Sequence, residues 1–438
     1  MDILKQLKKQ AEQVEVLDMQ AERTTVEFEA NQLKTCTVAE TRGTALRVIR
    51  KGRLGFAAST DAQAGDRLAA NALESASYGD AAPFSFPAPQ SASTVRTFDQ
   101  ALADLPVDRL VALGREALDL ILPVEADLRC NISLERSLSS LTIRNQAGLE
   151  ISYQSSPFTF GVEIDRIEAN DVLILYDQVS TSIPQTDPLD FVRRLVEKLR
   201  LARRLTDLKP GRMPVVFSPV AATALGLPLC EGLNGRQVFK GTSPLAGRSG
   251  EKLFDEKITL VDDGTLDGLP GSAAYDDEGV PHHRNVLVEK GVLKGFVYDL
   301  KTAAQSDAAS TGNAARSLFA PPEPAFSNVM LQAGETPLKD ILSGIDRGLL
   351  VEGLIGVGQG NMISGAFSNP LALAFKVEKG EIVGRVKDLS IAGNIYDLLK
   401  QVGALSRETQ WVFTSMFPPY SFSAPYVFFP DMTVAGKA

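Results

Sequence analysis

The sequence predicts an α+β fold in three parts: two small α+β units, about residues 1–100 and 101–212, and a β-rich domain over residues 213–438. A chain of 438 residues is too long for one ordinary hydrophobic core. Helical and strand-like periodicities alternate in its first half. From Met213 onward, short apolar runs are separated by Gly-rich turns. This texture is typical of a barrel-like or layered β domain.

The first unit combines helical and strand patterns. Residues 2–17 place apolar side chains at helical spacing, and residues 61–77 do the same, so a helix is predicted for each. Between them, residues 22–58 alternate apolar and polar side chains, which predicts a meander of about four antiparallel strands. Its turns are expected at Glu29–Gln32, Thr41–Gly43 and Lys51–Arg53. A segment rich in Pro, Ala and Ser then connects to the second unit.

The second unit begins and ends with predicted helices, at residues 106–121 and 187–205, with three strand-like runs between them. The later helix carries the most basic run of the chain. A solvated face is the preferred interpretation of that run, and an anion or partner patch is the alternative. In the third part, NVLVEKGVLKGFVY and ALAFKVEKGEIVGRV each predict a hairpin with a Lys-Gly tip.

Composition excludes several classes of function. The net charge of −9 and the pI near 5.1 argue against general affinity for nucleic acid. The charged N-terminus does not resemble a secretion signal, and no apolar run of roughly 18 residues predicts a membrane span. The three dispersed cysteines, Cys36, Cys130 and Cys230, are typical of reduced thiols in a cytoplasm.

The stretch from Lys240 to Thr302 holds clustered carboxylates, many glycines and both histidines of the chain. His282 and His283 are neighbours, so they cannot form the two-histidine zinc motif of a peptidase helix. One of them could join the acidic residues 276–278 in a carboxylate-rich metal site, but a solvated turn is the preferred interpretation. No Gly-x-Ser-x-Gly motif is present, and Cys230 is expected to be an inert thiol.

The glycine-rich run Gly353–Gly360 lacks the Gly-Lys-Ser/Thr of a phosphate loop. In a β-rich domain, such glycines more often mark bends or the close approach of a bound chain. An extended peptide could therefore pair with this backbone.

Several blocks resemble the TldD/PmbA family, named for modulators of DNA gyrase and for the processing of peptide antibiotics. They include NGRQVFKGTSPLAGRSGEKL, the DDEG block with its following hairpin, and the closing PDMTVAG, and the likeness covers most of the chain. The resemblance implies a cytosolic peptidase system of two related subunits that pair around an enclosed cavity. TldD-type subunits carry zinc, whereas PmbA-type (TldE) subunits lack it.

The chain departs from the TldD-type pattern at the zinc ligands. Counted back from Lys240, the His-Glu-x-x-x-His motif falls on Gly226, Leu227 and Glu231. A further cysteine ligand would fall near Trp411, and no cysteine follows Cys230. The resemblance therefore implies a PmbA-like chain with no catalytic or metal-binding residues of its own. Zinc and the water-activating Glu would belong to a TldD-type partner.

The implied role is the metal-free subunit of a TldD/TldE-type peptidase that cleaves unfolded peptides. The expected partners are a zinc-bearing TldD-type subunit and an extended peptide, without direct contact with nucleic acid or membrane. A homodimer in isolation stays open. By analogy, the residues that line the peptide chamber are Thr242, Ser243, Asp277, Glu278, Arg284 and Thr311. Each could instead simply hold a turn or a strand end.

Two other interpretations stay open. One is a non-catalytic protein that regulates another protein, such as gyrase. The other is a homo-oligomeric peptidase with an unrecognised site.

Overall fold

Seven strands from the first half of the chain form one antiparallel sheet in the computed structural model, which describes residues 3–168, 171–413 and 420–436. The strand order is β3-β2-β1-β4-β6-β7, and β5 also pairs with β4. The strands are β1 (Gln13–Glu29), β2 (Gln32–Arg50), β3 (Arg53–Ser59), β4 (Arg129–Asn145), β5 (Glu150–Ser155), β6 (Phe158–Glu168) and β7 (Asp171–Thr181).

Five helices accompany this sheet in the described residues: α1 (Ile3–Leu7), α2 (Gly65–Ser75), α3 (Gln100–Ala103), α4 (Val107–Ile121) and α5 (Asp190–Ala202). The apolar stripes of α4 and α5 pack on β4, β6 and β7, while α2 covers β2 and β3. The helices predicted at residues 61–77, 106–121 and 187–205 are confirmed.

The second half of the chain is a larger, mixed sheet that closes on itself. Its strands are β8 (Gly211–Phe217), β9 (Leu260–Asp263), β10 (Arg284–Glu289), β11 (Val292–Leu293), β14 (Asn328–Leu331), β15 (Arg347–Leu354), β16 (Ala366–Glu378), β17 (Glu381–Val386), β18 (Leu389–Asn394), β19 (Ala404–Phe413) and β20 (Ser421–Gly436). Strands β8, β15, β16, β18 and β20 form a closed barrel, because β20 pairs with both β18 and β8. The predicted α+β class with a β-rich C-terminal domain is confirmed.

Shorter elements complete this half. They are α6 (Thr223–Leu233), α7 (Gly235–Phe239), α8 (Leu300–Gln305), α9 (Leu338–Ser343), α10 (Ile395–Leu398) and a small pair of strands, β12 (Ala314–Ala315) with β13 (Glu323–Pro324). Two 3-10 turns occur at Leu122–Val124 and Met362–Ser364. None of the described helices is long and apolar enough to cross a membrane.

The two halves share a core. In β8, Val215 and Phe217 pack into the C-terminal core with α6, whereas Val216 packs into the core that contains α4 and α5. This alternation follows from the period of two along a strand. The barrel wall is therefore covered on its outer side by helices of the N-terminal half.

Three local predictions in the first unit need correction. Residues 2–17 form only the short α1 and then the start of β1, because the run from Gln13 pairs along its whole length with β2. Residues 22–58 lie in three strands, and β2 continues straight through the turn predicted at Thr41–Gly43. The turns after Glu29 and Arg50 are confirmed. The boundaries at residues 100 and 212 stay predictions.

Candidate functional site

The Lys240–Thr302 stretch connects the edge of the C-terminal sheet to the N-terminal sheet. Its strand β9 pairs with β10 and β14. The turn that carries the DDEG sequence, residues 276–279, packs against the β4–β5 hairpin region. Gly279 has φ of +80°, and a Cβ at this position would lie 2.3 Å from Leu149 Cδ2. Only glycine allows the turn to come this close to the N-terminal sheet.

Asp276 holds the turn in shape. One of its carboxylate oxygens accepts hydrogen bonds from the backbone N of Glu278 and of Val280, both at 2.9 Å, and the other accepts from Ala314 N at 3.1 Å. Burial, and then the nearby Glu278, raise the pKa of Asp276 well above its usual value. Asp276 thus acts as an Asx-type anchor between the turn and β12.

Glu278 belongs to a buried ion network that joins the two halves of the chain. Its Oε1 accepts from Arg47 Nη1 at 2.5 Å, and its Oε2 accepts from Leu300 N at 2.7 Å. Arg47 also binds Glu15 through two hydrogen bonds of 2.9 and 2.6 Å. Arg316 Nη1 donates to the same Glu15 at 2.6 Å. Two guanidinium groups and two carboxylates therefore alternate across the junction between β1–β2 and the C-terminal half.

The charges in this network stabilise one another. Burial alone would raise the pKa of Glu15, but Arg316 and Arg47 together bring it below its usual value. Burial raises the pKa of Glu278 and Asp299 adds to this effect, whereas Arg47 opposes it. Burial disfavours the charge on Arg47, but the two carboxylates raise its pKa above the ordinary value. Arg47 is thus the cation that the two acidic side chains share.

A cavity of about 390 Å³ lies beside this network, between the N-terminal sheet and the C-terminal half. Strands β4 and β5 contribute hydroxyl side chains such as Ser139, Ser140 and Ser155. The opposite wall comes from residues 269–273, 275–277, 313–316 and 325–327. Asp277 lines the cavity and accepts a hydrogen bond from Tyr153 Oη at 3.2 Å. Arg316 N also donates to it, at 2.8 Å. Burial raises the pKa of Asp277, and Arg316 counteracts this rise.

The six residues predicted to line a peptide chamber do not lie in one place. Of the six, Asp277 lines this cavity. Glu278 is buried in the ion network, and Ser243 is buried where its hydroxyl donates to Gly232 O at 2.5 Å. The exposed Thr242 donates to Gln237 Oε1 at 2.9 Å.

The other two lie near the start of β10 and the end of α8. Arg284 is exposed at the first position of β10. Thr311 Oγ1 accepts from Tyr298 N at 2.8 Å. The role of all six in peptide binding stays a prediction.

The two histidines have different surroundings. His282 lines the cavity, and its ring packs against Gly264, where a Cβ would lie 2.5 Å from His282 Nδ1. Burial, and then the adjacent His283, lower the pKa of His282 to about 4. His283 is exposed, with Nδ1 at 3.4 Å from Pro281 O. His282 is therefore neutral at pH 7, and the two rings do not converge on one point.

Helix α6 carries the positions at which the TldD-type motif would place its zinc ligands. A Cβ at Gly226 would lie 2.5 Å from Phe422 Cζ, so an aromatic ring fills the space for a side chain there. Glu231 instead accepts from Gln237 Nε2 at 2.5 Å, and burial raises the pKa of Cys230 on the same helix. Within residues 3–168, 171–413 and 420–436, no three His, Cys, Asp or Glu side chains are grouped to hold a metal ion. The residues of α6 do not fit zinc.

The predicted position of the missing cysteine lies near α6 but on the wrong face. Trp411 of β19 pairs with Ser423 of β20, whereas Val412 pairs with Phe422. Directly opposite residues share a face of the sheet. Val412 therefore lies on the face that meets Gly226, and Trp411 lies on the other.

The fold and these features define a two-part, metallopeptidase-like protein with a closed C-terminal barrel. Residues 210–436 match the PmbA/TldA metallopeptidase C-terminal domain, and residues 19–76 match domain 1 of the same metallopeptidases. The chain belongs to the PmbA/TldD family.

Several relatives support this membership. The chain is 26% identical over 415 residues to an uncharacterised protein of Methanocaldococcus jannaschii, which covers 92% of this chain and 94% of that one. It is 32% identical over 202 residues to a metalloprotease TldD homolog of Haemophilus influenzae, covering 46% of this chain and 42% of the relative. The chain thus spans less than half of this TldD homolog.

Solved structures extend the comparison to the whole chain. The crystal structure of TldE from Thermococcus kodakarensis superimposes with a TM-score of 0.89 at 27% identity, covering 99% of both chains. A Thermotoga maritima structure superimposes equally well at 22% identity, with 99% and 98% of the two chains covered, which supports the fold alone.

The buried partners of the DDEG turn were not predicted from the sequence. Glu15 lies between valines in QVEVL, and Arg47 lies between apolar residues in ALRVIR. A charged residue inside a strand that is apolar around it signals a buried ion pair. That signal does not say which residue is the partner, because Arg47 and Glu278 are 231 positions apart.

Proposed function

We propose that this chain is the metal-free, TldE-like subunit of a TldD/TldE-type peptidase that cleaves unfolded peptides. The observation that carries the proposal is the construction of α6. The helix has Gly226, Leu227 and Glu231 at the expected ligand positions, and the Phe422 ring lies against Gly226. Such a surface packs as part of a core and offers no set of ligands to a metal ion.

The pattern of similarity supports the same division of roles. The likeness to the Thermococcus kodakarensis TldE extends over 99% of both chains. The likeness to the TldD homolog of Haemophilus influenzae extends over 46% of this chain. A TldE-like subunit would be similar to TldD in the shared domain and would differ where the zinc ligands lie.

In this proposal a TldD-type partner would hold zinc, which would supply the Lewis-acid chemistry for attack of water on the scissile carbonyl. The present chain closes the chamber and holds the peptide in an extended form. Its cavity of about 390 Å³ offers serine hydroxyls on one wall and the carboxylate of Asp277 on the other. Hydroxyls and carboxylates can bind backbone N–H groups without selecting a side chain. A site of this kind suits unfolded peptides of varied sequence.

Among the six candidate residues, the surroundings of Asp277 favour it most for contact with a peptide. Thr242, Arg284 and Thr311 are accessible to different extents and could contribute further along the chain path. Glu278 and Ser243 would act indirectly, by holding the turn and the loop after α7 in place. We place the protein in the cytoplasm, in agreement with its three free cysteines.

The test combines metal analysis with the mass of the native assembly. The chain is purified alone and together with a TldD-type subunit from the same genome, and each sample is assayed on an unfolded peptide with and without chelator. We expect zinc and chelator-sensitive cleavage only in the sample that contains both subunits. Stoichiometric zinc on the isolated chain, or chelator-resistant cleavage by it, would overturn the proposal.

A pair of matched variants examines the cavity within the assembled peptidase. Asp277→Asn keeps the shape of the side chain and removes its charge, and Asp431→Asn does the same at an exposed ion pair with Arg212. We expect D277N to raise KM for the peptide at unchanged zinc content and subunit ratio, and D431N to leave KM unchanged. If the two variants had equal KM values, the cavity would not be part of the proposed peptide-binding site.

A further inference from the structure

Part of the buried guanidinium group of Arg316 makes no hydrogen bond. The Arg316 side chain is 1% exposed, and its Nη1 donates to Glu15. Its Nε and Nη2 have no hydrogen-bond partner among the residues that the structure describes. Arg47, in the same network, bonds through all three of its side-chain nitrogens. The ion network therefore explains one nitrogen of Arg316 and leaves the other two unexplained.

This gap is larger than at the other buried arginines of the described chain. Four of them leave a single buried nitrogen, Nε, without a partner: Arg136, Arg144, Arg166 and Arg385. Arg316 leaves Nε and Nη2 together. A buried donor without a partner costs free energy, and native structures pair almost all such groups. Two unpaired donors on one guanidinium group therefore indicate a ligand with matching acceptors.

Arg316 lines the cavity of about 390 Å³ between the two halves of the chain. This volume lies within the range of about 300–1,000 Å³ that is typical of small-molecule sites. Among the described residues of the cavity wall, Arg316 is the one lysine or arginine. His282, also in the wall, is neutral at pH 7 because burial lowers its pKa to about 4. An anionic group in the cavity would thus find its cation at Arg316.

The unpaired donors favour a carboxylate as the ligand. Nε and Nη2 of an arginine present two parallel N–H groups, and a carboxylate accepts both through its two oxygens. A peptide N-terminus is a cation that only donates, so it would leave both donors unsatisfied. A backbone carbonyl offers one oxygen and no charge. The carboxylate matches the donor pair in shape and in charge.

Asp277 adds an acceptor next to this donor pair. It lines the same cavity, and one of its oxygens accepts from Arg316 N at 2.8 Å. Its other oxygen accepts from Tyr153 Oη at 3.2 Å. Each carboxylate oxygen has two lone pairs, so Asp277 can accept a further hydrogen bond. The last residue of a peptide carries an N–H group beside its carboxylate, and these two groups match Asp277 and Arg316.

We propose that this cavity binds the C-terminal carboxylate of a peptide through Nε and Nη2 of Arg316, while Asp277 accepts the N–H of the last residue. The ligand class is thus a peptide with a free C-terminal carboxylate. The inference rests on the proposed function, because it names the end of the peptide that the same cavity takes. It also sets a direction, since the peptide leaves the cavity with its N-terminal side first.

Calorimetry on the isolated wild-type chain tests this site without zinc, a partner or cleavage. The probes are acetyl-trialanine with a free carboxylate and the same peptide with a C-terminal amide. We expect the amide to bind about tenfold more weakly or worse, because it loses a charged, two-fold hydrogen-bonded contact. Equal affinities for the two peptides, or no binding of the free acid, would overturn the proposal.

A third probe distinguishes the two sources of a peptide carboxylate. It is an amidated acetyl peptide whose last residue is a glutamate, so that its carboxylate lies on a side chain. We expect it to bind as weakly as the amide of trialanine, because its carboxylate does not adjoin the N–H group that Asp277 accepts. Binding as tight as that of the free acid would refute the assignment to the C-terminus.

A matched pair of variants tests the role of Arg316. Arg316→Lys keeps a cation near Glu15 and removes the parallel N–H pair, and Arg212→Lys makes the same change at the exposed pair with Asp431. We expect R316K to bring the affinities for acid and amide close together and R212K to keep them apart. Circular dichroism checks that R316K is folded, and the wild-type comparison decides the matter if it is not. A preference for the acid that R316K leaves unchanged would exclude Arg316.

The same peptides separate this inference from the proposed peptidase role. If the two-subunit sample cleaves an unfolded peptide but the isolated chain binds acid and amide equally, the carboxylate site is refuted and the peptidase role stands. If that sample does not cleave and the isolated chain still prefers the acid, the peptidase role is refuted and the carboxylate site stands.

Discussion

Replacement of Arg47 by Met is expected to destabilise the fold more than any exposed charge substitution. The Arg47 side chain is only 2% exposed and bonds to Glu15 and Glu278 at 2.5–2.9 Å. Without it, Glu278 loses its cation, and Glu15 keeps only Arg316. Removing one partner of a buried ion pair costs about 3–5 kcal/mol, because the remaining charge stays buried. Urea unfolding followed by circular dichroism measures this loss.

Glu278→Gln removes the charge of this side chain and keeps its shape at the contact with Arg47. Burial and Asp299 already disfavour the charge on Glu278, and the glutamine oxygen can still accept from Leu300 N. We therefore expect a loss of about 1 kcal/mol, the size of one hydrogen bond.

Arg212→Met is the matched control, since Arg212 is 65% exposed and pairs with Asp431 at the surface. It should leave the free energy of unfolding almost unchanged, because solvent screens an exposed ion pair. If R47M cost no more than R212M, or if E278Q cost as much as R47M, the network would not stabilise the junction in the way described.

Three further outcomes follow from the same contacts. Burial lowers the pKa of His282 from 6.5 to about 4, so the unfolded chain binds more protons between these values. The contribution of His282 to the free energy of unfolding is therefore complete above pH 6.5. It decreases by at most about 3 kcal/mol as the pH falls to 4. His282→Gln should flatten the dependence of the urea midpoint on pH, and an unchanged slope would contradict this. Gly226→Ala should lower the free energy of unfolding by about 1–3 kcal/mol, because the added methyl group overpacks against Phe422. Adding Phe422→Leu should recover part of this loss. If the losses of the two substitutions were additive in the double variant, the contact would not be supported. A thiol reagent should modify the exposed Cys36, while the other two cysteines react only after unfolding, because burial raises the pKa of both thiols. Intact mass should therefore increase by one adduct, and three adducts on the folded protein would show that the two buried thiols are accessible.

Turns and amphipathic helices were predictable because their chemistry is local. The Lys-Gly tips of the two predicted hairpins have positive φ at both residues, 47° and 78° at Lys290–Gly291 and 52° and 84° at Lys379–Gly380. A tight two-residue hairpin needs positive φ at both of its tip residues, and glycine in the second position adopts such an angle without strain. The stripe of α4 was equally clear, because its apolar residues recur at helical spacing and all face one core.

Strand β1 shows why the remainder could not be predicted. Residues 13–17 fit a helical and a strand pattern equally well, and the choice depends on partners that lie far along the chain. Val14 pairs with Val48 in β2, and Glu15 reaches Arg47 and Arg316. Sequence spacing carries no information about these contacts. The sequence predicted a barrel-like or layered domain but could not decide between the two, because closure of the barrel depends on the pairing of β20 with β8.

The DDEG turn explains why clustered carboxylates alone are ambiguous evidence for a site. Asp276 fixes the turn through three backbone N–H groups, and Glu278 binds Arg47 across the junction of the two halves. Asp277, between them, lines the cavity and bonds to Tyr153. A turn that joins two halves through buried charges needs the same acidic composition as a turn that binds a ligand. Glu278 is already neutralised by the buried guanidinium of Arg47 and has little left to offer a substrate, whereas Asp277 faces the cavity.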